Sequence, residues 1–70
     1  MRYYFHLESE STIQLDHCGR EFDWCQDAME YAAALARDLA GEDKWQGFTV
    51  RVIDECNTEI LCVPVVDAVT

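Results

Sequence analysis

Four cysteines and two histidines are the side chains of this 70-residue chain best suited to bind a metal ion or to act as nucleophiles. The cysteines stand at positions 18, 25, 56 and 62, so no two of them form a C-x-x-C pair. Structural zinc sites normally show such tight paired spacing. The spacing therefore predicts no metal and no cofactor. The alternative is a metal site built from His17, Cys18 and Cys56 and closed by His6.

A thiol–imidazole nucleophile is the second chemistry to weigh, with His6 beside Cys18 or Cys25. Nothing in the sequence places a base next to a thiol, and we expect His6 to be a strand histidine that hydrogen-bonds across a sheet. Cys25 and Cys62 are predicted to be small buried hydrophobic residues, and Cys18 and Cys56 to be exposed thiols in turns. We therefore expect no catalytic residue and no enzyme activity.

Carboxylates are the most numerous polar groups, and they concentrate where turns are expected. Asp54 and Glu55 together with Asp16 could hold a hard cation, but no EF-hand pattern is present. Glu21 and Asp23 belong to the same predicted class of solvated turn residues. Glycine-rich phosphate loops, Ser-His-Asp order and basic–aromatic patches are all absent from the sequence.

One amphipathic helix is predicted over residues 23–40, and it organises the rest of the chain. Its apolar stripe runs at helical spacing, and Cys25, Met29 and Ala36 widen it. Asp23 is the predicted N-cap, Gln26 completes a capping box, and Gly41 is expected to end the helix in the left-handed conformation. We expect Leu35→Ala to cost about 2–5 kcal/mol. The stripe consists of Ala28, Ala32, Leu35 and Leu39.

Four strands are predicted around this helix, over residues 2–8, 12–15, 48–54 and 59–66. The order ββαββ predicts a single α+β domain spanning residues 1–70, with an antiparallel four-stranded sheet and one helix packed on one face. Residues 59–66 are apolar at both alternating sets of positions, so one set is expected to face a second subunit. Pro64 cannot donate to a sheet ladder, which indicates an edge or a bulge.

Charge and composition limit the partners. Fourteen acids against five bases give a net charge of −9, which disfavours nucleic acids and anionic membranes. No apolar run approaches the ~20 residues that span a bilayer, and the first residues lack a signal-peptide pattern, so a cytoplasmic location is expected.

The first functional hypothesis is a non-enzymatic interaction module that self-associates as a homodimer. The alternatives are an acidic regulator or nucleic-acid mimic that binds a basic protein and, more weakly, a metal-binding protein.

The order of short motifs resembles a family of small, uncharacterised bacterial proteins. Their opening strand of Arg-Tyr-Phe-Phe-His type corresponds to residues 2–7, and their Asp-x-x-Gly turn to residues 16–19 followed by Glu21. The resemblance implies the same fold but no activity. An asparagine, Asn57, stands in the second hairpin turn, where the family usually has glycine. The other matching residues are Ala28, Ala32 and Ala36 in the helix, then Trp45, Asp54-Glu55, Pro64 and Asp67-Ala68-Val69.

Overall fold

The computed structural model describes residues 1–66 and shows a small α+β domain. The predicted tail from Asp67 to Thr70, with its Asp-Ala-Val ending, lies outside the described residues. A 3-10 helix, Asp43–Trp45, connects the α-helix to the fourth strand. No helix within residues 1–66 is both long enough and apolar enough to cross a membrane. The elements in chain order are β1 (Arg2–Glu8), β2 (Ile13–Gln14), β3 (Arg20–Glu21), α1 (Cys25–Leu39), β4 (Thr49–Asp54) and β5 (Glu59–Pro64).

The antiparallel sheet has five strands in the described part of the chain, so the predicted count of four and the order ββαββ are wrong. Strands run β2-β1-β4-β5, and β3 pairs with β1 on the same side as β2. The additional strand is only two residues long, Arg20–Glu21, and two residues show no alternation that a sequence pattern could reveal. The predicted second strand, residues 12–15, is likewise reduced to Ile13–Gln14.

Helix α1 covers one face of the sheet, as predicted, and contacts β4 and β5. Its closest approach is made by three alanines that occupy successive turns, Ala28, Ala32 and Ala36, all of them buried. Leu35 and Leu39 are only half-buried and pack at the margin of the core. Small side chains let the helix lie close to the strands, so the molecule is a slab only 16 Å thick. The buried core consists of Tyr3, Phe5, Ala28, Ala32, Ala36, Val50, Val52 and Val65.

Aromatic rings join the helix to the N-terminal strands. Tyr31 of α1 packs edge-on against Phe5 with ring centroids 4.9 Å apart, and Phe22 lies 5.7 Å from Tyr31. Arg20 of β3 stacks over the outer side of Tyr31, 4.8 Å from the ring centroid, and donates to its hydroxyl. Phe22, two residues before the N-cap, therefore holds the entry into the helix against Tyr31.

Both predicted helix caps are wrong. Trp24 occupies the N-cap position without a side-chain hydrogen bond, and its carbonyl accepts the first bonds of the helix, from the N–H groups of Asp27 and Ala28. The predicted box of Asp23 and Gln26 is therefore absent. At the other end Ala40 keeps right-handed geometry and Gly41 does not adopt positive φ. The chain instead tightens into the 3-10 helix, and the Gln46 side chain donates to the free Ala40 carbonyl at 2.9 Å.

Candidate functional site

All four cysteines are exposed, and none forms a disulfide within residues 1–66. The predicted exposure of Cys18 and Cys56 is confirmed, and the predicted burial of Cys25 and Cys62 is wrong. Cys25 is the first residue of α1, where the helix has not yet come under cover. Cys62 stands on β5 directly opposite Arg51, on the sheet face that the helix leaves open. The periodicity placed both thiols among apolar residues, but it could not show which of these positions the rest of the protein leaves in contact with water.

The residues proposed for a metal site do not converge. Within residues 1–66 no three or more histidine, cysteine, aspartate or glutamate side chains are placed to hold one ion. His6 instead accepts a hydrogen bond at Nδ1 from the backbone N–H of Asp16, at 3.0 Å. The described contacts thus engage His6 with the backbone of the neighbouring loop.

Asp16 closes a gap in the sheet. Leu7 pairs with β2 and Tyr3 pairs with β3, so Phe5 between them has no strand partner on that side among the described residues. Oδ2 of Asp16 accepts from the Phe5 N–H at 3.2 Å and takes the place of a ladder carbonyl. Its other oxygen accepts from the N–H groups of Cys18 and Gly19, at 3.1 and 3.0 Å, and so shapes the turn.

The electrostatics of Asp16 follow from this geometry. Burial by itself would raise the pKa of the Asp16 carboxyl. Hydrogen bonds from the N–H groups of Gly19, Phe5 and Cys18, helped by the nearby His6, outweigh burial and hold that pKa below its ordinary value. Asp16 is thus an ionised acceptor, and both of its carboxylate oxygens already bind backbone N–H groups. This argues against its predicted alternative role as a cation ligand.

Asp54 and Glu55 are engaged in the same way. Oδ1 of Asp54 accepts from the N–H groups of Cys56 and Thr58, both at 2.9 Å, across the turn between β4 and β5. Asn57 in that turn has φ of 66°, the left-handed conformation that glycine usually takes and asparagine tolerates. Glu55 accepts from the N–H of Arg2 at 2.9 Å, beyond the end of the β1–β4 ladder.

The sheet face opposite α1, which we call the open face, carries an ion-pair cluster that sequence reasoning missed. Arg51 at its centre holds Glu8 through two nitrogens, each 3.1 Å from a carboxylate oxygen. Its Nε lies 3.1 Å from Glu59, but the N–H is not aligned for a hydrogen bond. The pKa of Arg51 is raised most by the Cys62 side chain and less by the negative charges of Glu8 and Glu59. Arg51 therefore stays charged. Alternation in residues 48–54 could have placed Arg51 outward, but its partners are 43 and 8 residues away along the chain.

Apolar side chains surround this cluster. Ile13 is 48% exposed and stands opposite Glu8, so it shares the open face. Leu15 follows it at 52% exposure, and Cys62 and Pro64 are exposed on β5. Half-buried Ile53 stands opposite Tyr4 on the same face. An antiparallel sheet with one side in water normally alternates apolar inward and polar outward, and this face departs from that rule.

The turn after β2 covers one corner of the open face. Gly19 packs so closely on the Tyr4 ring and the Arg2 side chain that a Cβ there would lie 2.8 Å from Tyr4 and 2.9 Å from Arg2. Arg2 donates to the Cys18 carbonyl at 2.7 Å and ties the turn down. The rest of the face, from Ile13 to Cys62, lies outside this cover.

A shallow groove of ≈ 410 Å³ lies at one end of the domain, between the turn after β1 and the segment before β4. It is open, and its lining is mainly polar. Ligand pockets of proteins usually have a volume of at least ~300 Å³. The groove exceeds that volume, but within residues 1–66 the only charged side chain that lines it is Glu10. Its lining residues are Ser9, Glu10, Ser11, Gln46, Gly47 and Phe48.

Comparison with known proteins identifies the family. The model of a domain of unknown function, DUF6894, matches residues 2–66. No curated protein and no solved structure matches the chain. The Asp-x-x-Gly turn and the aromatic first strand, on which the resemblance was based, are the parts that Asp16 and Gly19 hold together here. The chain belongs to the DUF6894 family, whose function is unknown.

Proposed function

We propose that this protein is a small non-enzymatic interaction module that associates with a second copy of itself. The supporting observation is a mismatch between core and surface. Apart from Tyr3 and Phe5, the buried core consists of alanines and of the valines Val50, Val52 and Val65. Larger apolar side chains, among them Ile13 and Leu15, stand half in water.

Association would bury apolar surface that folding leaves exposed. A chain of this length buries only ~60% of its unfolded surface, so its own core contributes little stability to spare. Each Å² of apolar surface removed from water contributes about 25 cal/mol. Because only folded chains form the dimer, self-association also stabilises the folded state by mass action.

The oligomeric state and the melting temperature test this proposal together. Light scattering on purified protein over a hundredfold range of concentrations, roughly 1 to 100 µM, should show the mass rising from one chain to two. The melting temperature should rise over the same range. The mass of a single chain throughout, with a constant melting temperature, would contradict the proposal.

An acidic regulator that masks a basic partner is the second candidate, and the distribution of charge favours it. Three acids on the exposed side of α1, Asp27, Glu30 and Asp38, lie beyond ion-pair distance of any base within residues 1–66. The net charge of −9 would steer a basic protein toward this surface. The same surface would serve a mimic of nucleic acid.

Polylysine binding at low and moderate salt tests the second candidate. The double variant Asp27→Asn/Glu30→Gln should weaken binding more than the control Glu10→Gln/Asp43→Asn, which removes the same charge elsewhere on the surface. Equal loss in the two variants would show that only net charge acts. Binding that salt leaves unchanged, or no binding, would also contradict this candidate.

The cytoplasm is the compartment we propose for either function. Four free cysteines in a chain of this size, with no disulfide among the described residues, suit a reducing environment. Expression in an oxidising compartment followed by thiol counting would test this assignment, because exposed thiols are expected to oxidise there.

A further inference from the structure

The outer edge of β5 is poorly suited to pair with another strand. The N–H of Val65 donates to the Phe48 carbonyl at 2.8 Å, so the N–H groups of alternate residues Val63 and Leu61 also point toward β4. The outward positions are then those of Cys62 and Pro64, and proline has no N–H to offer. A register shift beside Ile53 bulges the strand as well. Bulges and edge prolines are devices that block strand addition.

The opposite edge of the sheet is blocked by a different arrangement. Strands β2 and β3 are two residues long each, and the turn of residues 16–19 separates them. The Asp16 carboxylate already occupies the Phe5 N–H in the gap. This edge therefore offers no continuous row of backbone groups, in the part of the chain that is described, to an incoming strand.

The helix side is unsuited to pairing with itself for electrostatic reasons. A symmetric dimer places the same patch on both subunits, so the exposed acids of α1 would face a second set of acids. Like charges juxtaposed at an interface are costly. On the open face, by contrast, Arg51 is already paired with Glu8 and lies near Glu59 within the same chain.

We propose that a second copy of this chain docks on the open face, sheet against sheet. This inference rests on the proposed function and names its surface. The broad side of the slab spans 33 × 25 Å, a size comparable with the about 800 Å² per partner of a standard interface. Ile13, Ile53 and Cys62 supply apolar contacts around the Arg51 cluster.

The exposed cysteines provide a native set of probes for this surface. Cys62 lies on the open face, Cys25 begins the helix, and Cys56 lies in the turn between β4 and β5. Three single-cysteine variants, each with the other three thiols changed to serine, would be reacted with Ellman's reagent below and above the dimerisation concentration. When nine-tenths of the chains are dimeric, Cys62 should react about tenfold more slowly, because reaction proceeds through the free subunit. Cys25 and Cys56 should react at unchanged rates.

Each outcome distinguishes the inference from the proposed function. Protection of Cys25 instead of Cys62 would move the interface to the helix and overturn the inference while leaving self-association intact. A dimer in which every thiol stays reactive, with slowed amide exchange at Cys62, would indicate edge pairing and also overturn it. A monomer at every concentration would remove the proposed function and the inference together.

Two matched charge insertions provide an independent check. Ile13→Lys would place a charge among the apolar contacts of the open face. The concentration at the dimerisation midpoint should rise at least about tenfold, which corresponds to a loss of about 1.4 kcal/mol of binding free energy. Met29→Lys introduces the same charge at a helix position that is 37% exposed and should leave the midpoint unchanged. Equal shifts, or a larger one for Met29→Lys, would contradict docking on the open face.

Discussion

Asp16 connects the first strand to the turn of residues 16–19. Its carboxylate accepts from Phe5, Cys18 and Gly19, and its backbone N–H donates to the ring of His6 in the same strand. Loss of a charged acceptor leaves partly buried N–H groups unpaired, which costs about 1–3 kcal/mol. The same residue explains why an Asp-x-x-Gly motif follows the first strand. Aspartate supplies the acceptor and Gly19 permits the positive φ of 71° that brings the turn back.

Asp16→Asn is expected to lower stability near neutral pH and to remove part of the acid sensitivity. Because the folded pKa of Asp16 is depressed, its stabilisation is fully present above the unfolded pKa of about 3.9 and disappears as pH falls through the folded pKa. Urea unfolding should therefore separate the two proteins by about 1–3 kcal/mol at pH 7 and by less at about pH 2.5. Asp38→Asn, which removes an exposed acid, is the control. If Asp16→Asn lowered the stability no more than Asp38→Asn, the structural role of Asp16 would be contradicted.

Gly19→Ala is expected to destabilise the fold by about 2–4 kcal/mol, since the left-handed backbone and the contact with Tyr4 both oppose a Cβ. Gly47→Ala separates the two costs. Gly47 also has positive φ, 88°, but a Cβ added there would have no neighbouring atom of residues 1–66 within 4 Å. Only the backbone penalty of about 1–2 kcal/mol should remain there. Equal losses in thermal unfolding would show that the Tyr4 contact is unimportant.

At the scale of the helix, the alanines matter more than the leucines. The predicted stripe is confirmed at Ala28, Ala32 and Ala36, but Cys25 and Met29, which were predicted to widen it, are exposed. Periodicity locates a stripe and cannot say how closely the helix approaches the sheet. The predicted caps are wrong for local reasons, because the helix begins one residue after Trp24 without a side-chain cap and the Ala40 carbonyl is bonded by Gln46 from beyond the 3-10 helix.

Ala32→Leu should destabilise the protein by about 1–3 kcal/mol, because a side chain with no exposure has no space for added carbons. Ala34→Leu adds the same atoms at an exposed position of the same helix and should stay within about 0.5 kcal/mol of the parent. Denaturant unfolding of the two variants gives the comparison. A parent-like Ala32→Leu would mean that the helix can move away from the sheet.

Leu35→Ala now has a smaller expected cost than the sequence alone indicates. Leu35 packs against the core but is only half-buried, so truncation should cost about 1–2 kcal/mol. The revised value predicts a folded variant with a lowered melting temperature. Complete unfolding at room temperature would restore the larger value of about 2–5 kcal/mol.

At the scale of the whole molecule, the sequence identifies the class but not the surface. Strands at residues 2–8 and 48–54 and a single covering helix follow from periodicity and are confirmed in outline. The exposure of Cys62 and the cluster around Arg51 could not be predicted, because both depend on which strands become neighbours. The pairing of strands depends on contacts between residues far apart in the sequence, and local sequence patterns do not contain that information.

The central pairing of β1 with β4 joins the beginning of the chain to its last third. During synthesis the first strand therefore leaves the ribosome long before its main partner exists, and the nascent chain must carry its aromatic residues unpaired until residues 49–54 emerge. A fragment ending at Gly41 should accordingly show little ordered structure by circular dichroism, whereas a native-like spectrum would contradict this view. Folding of this domain therefore waits for residues 49–54, and until they pair with β1 the rings of Tyr3 and Phe5 lack their strand neighbours.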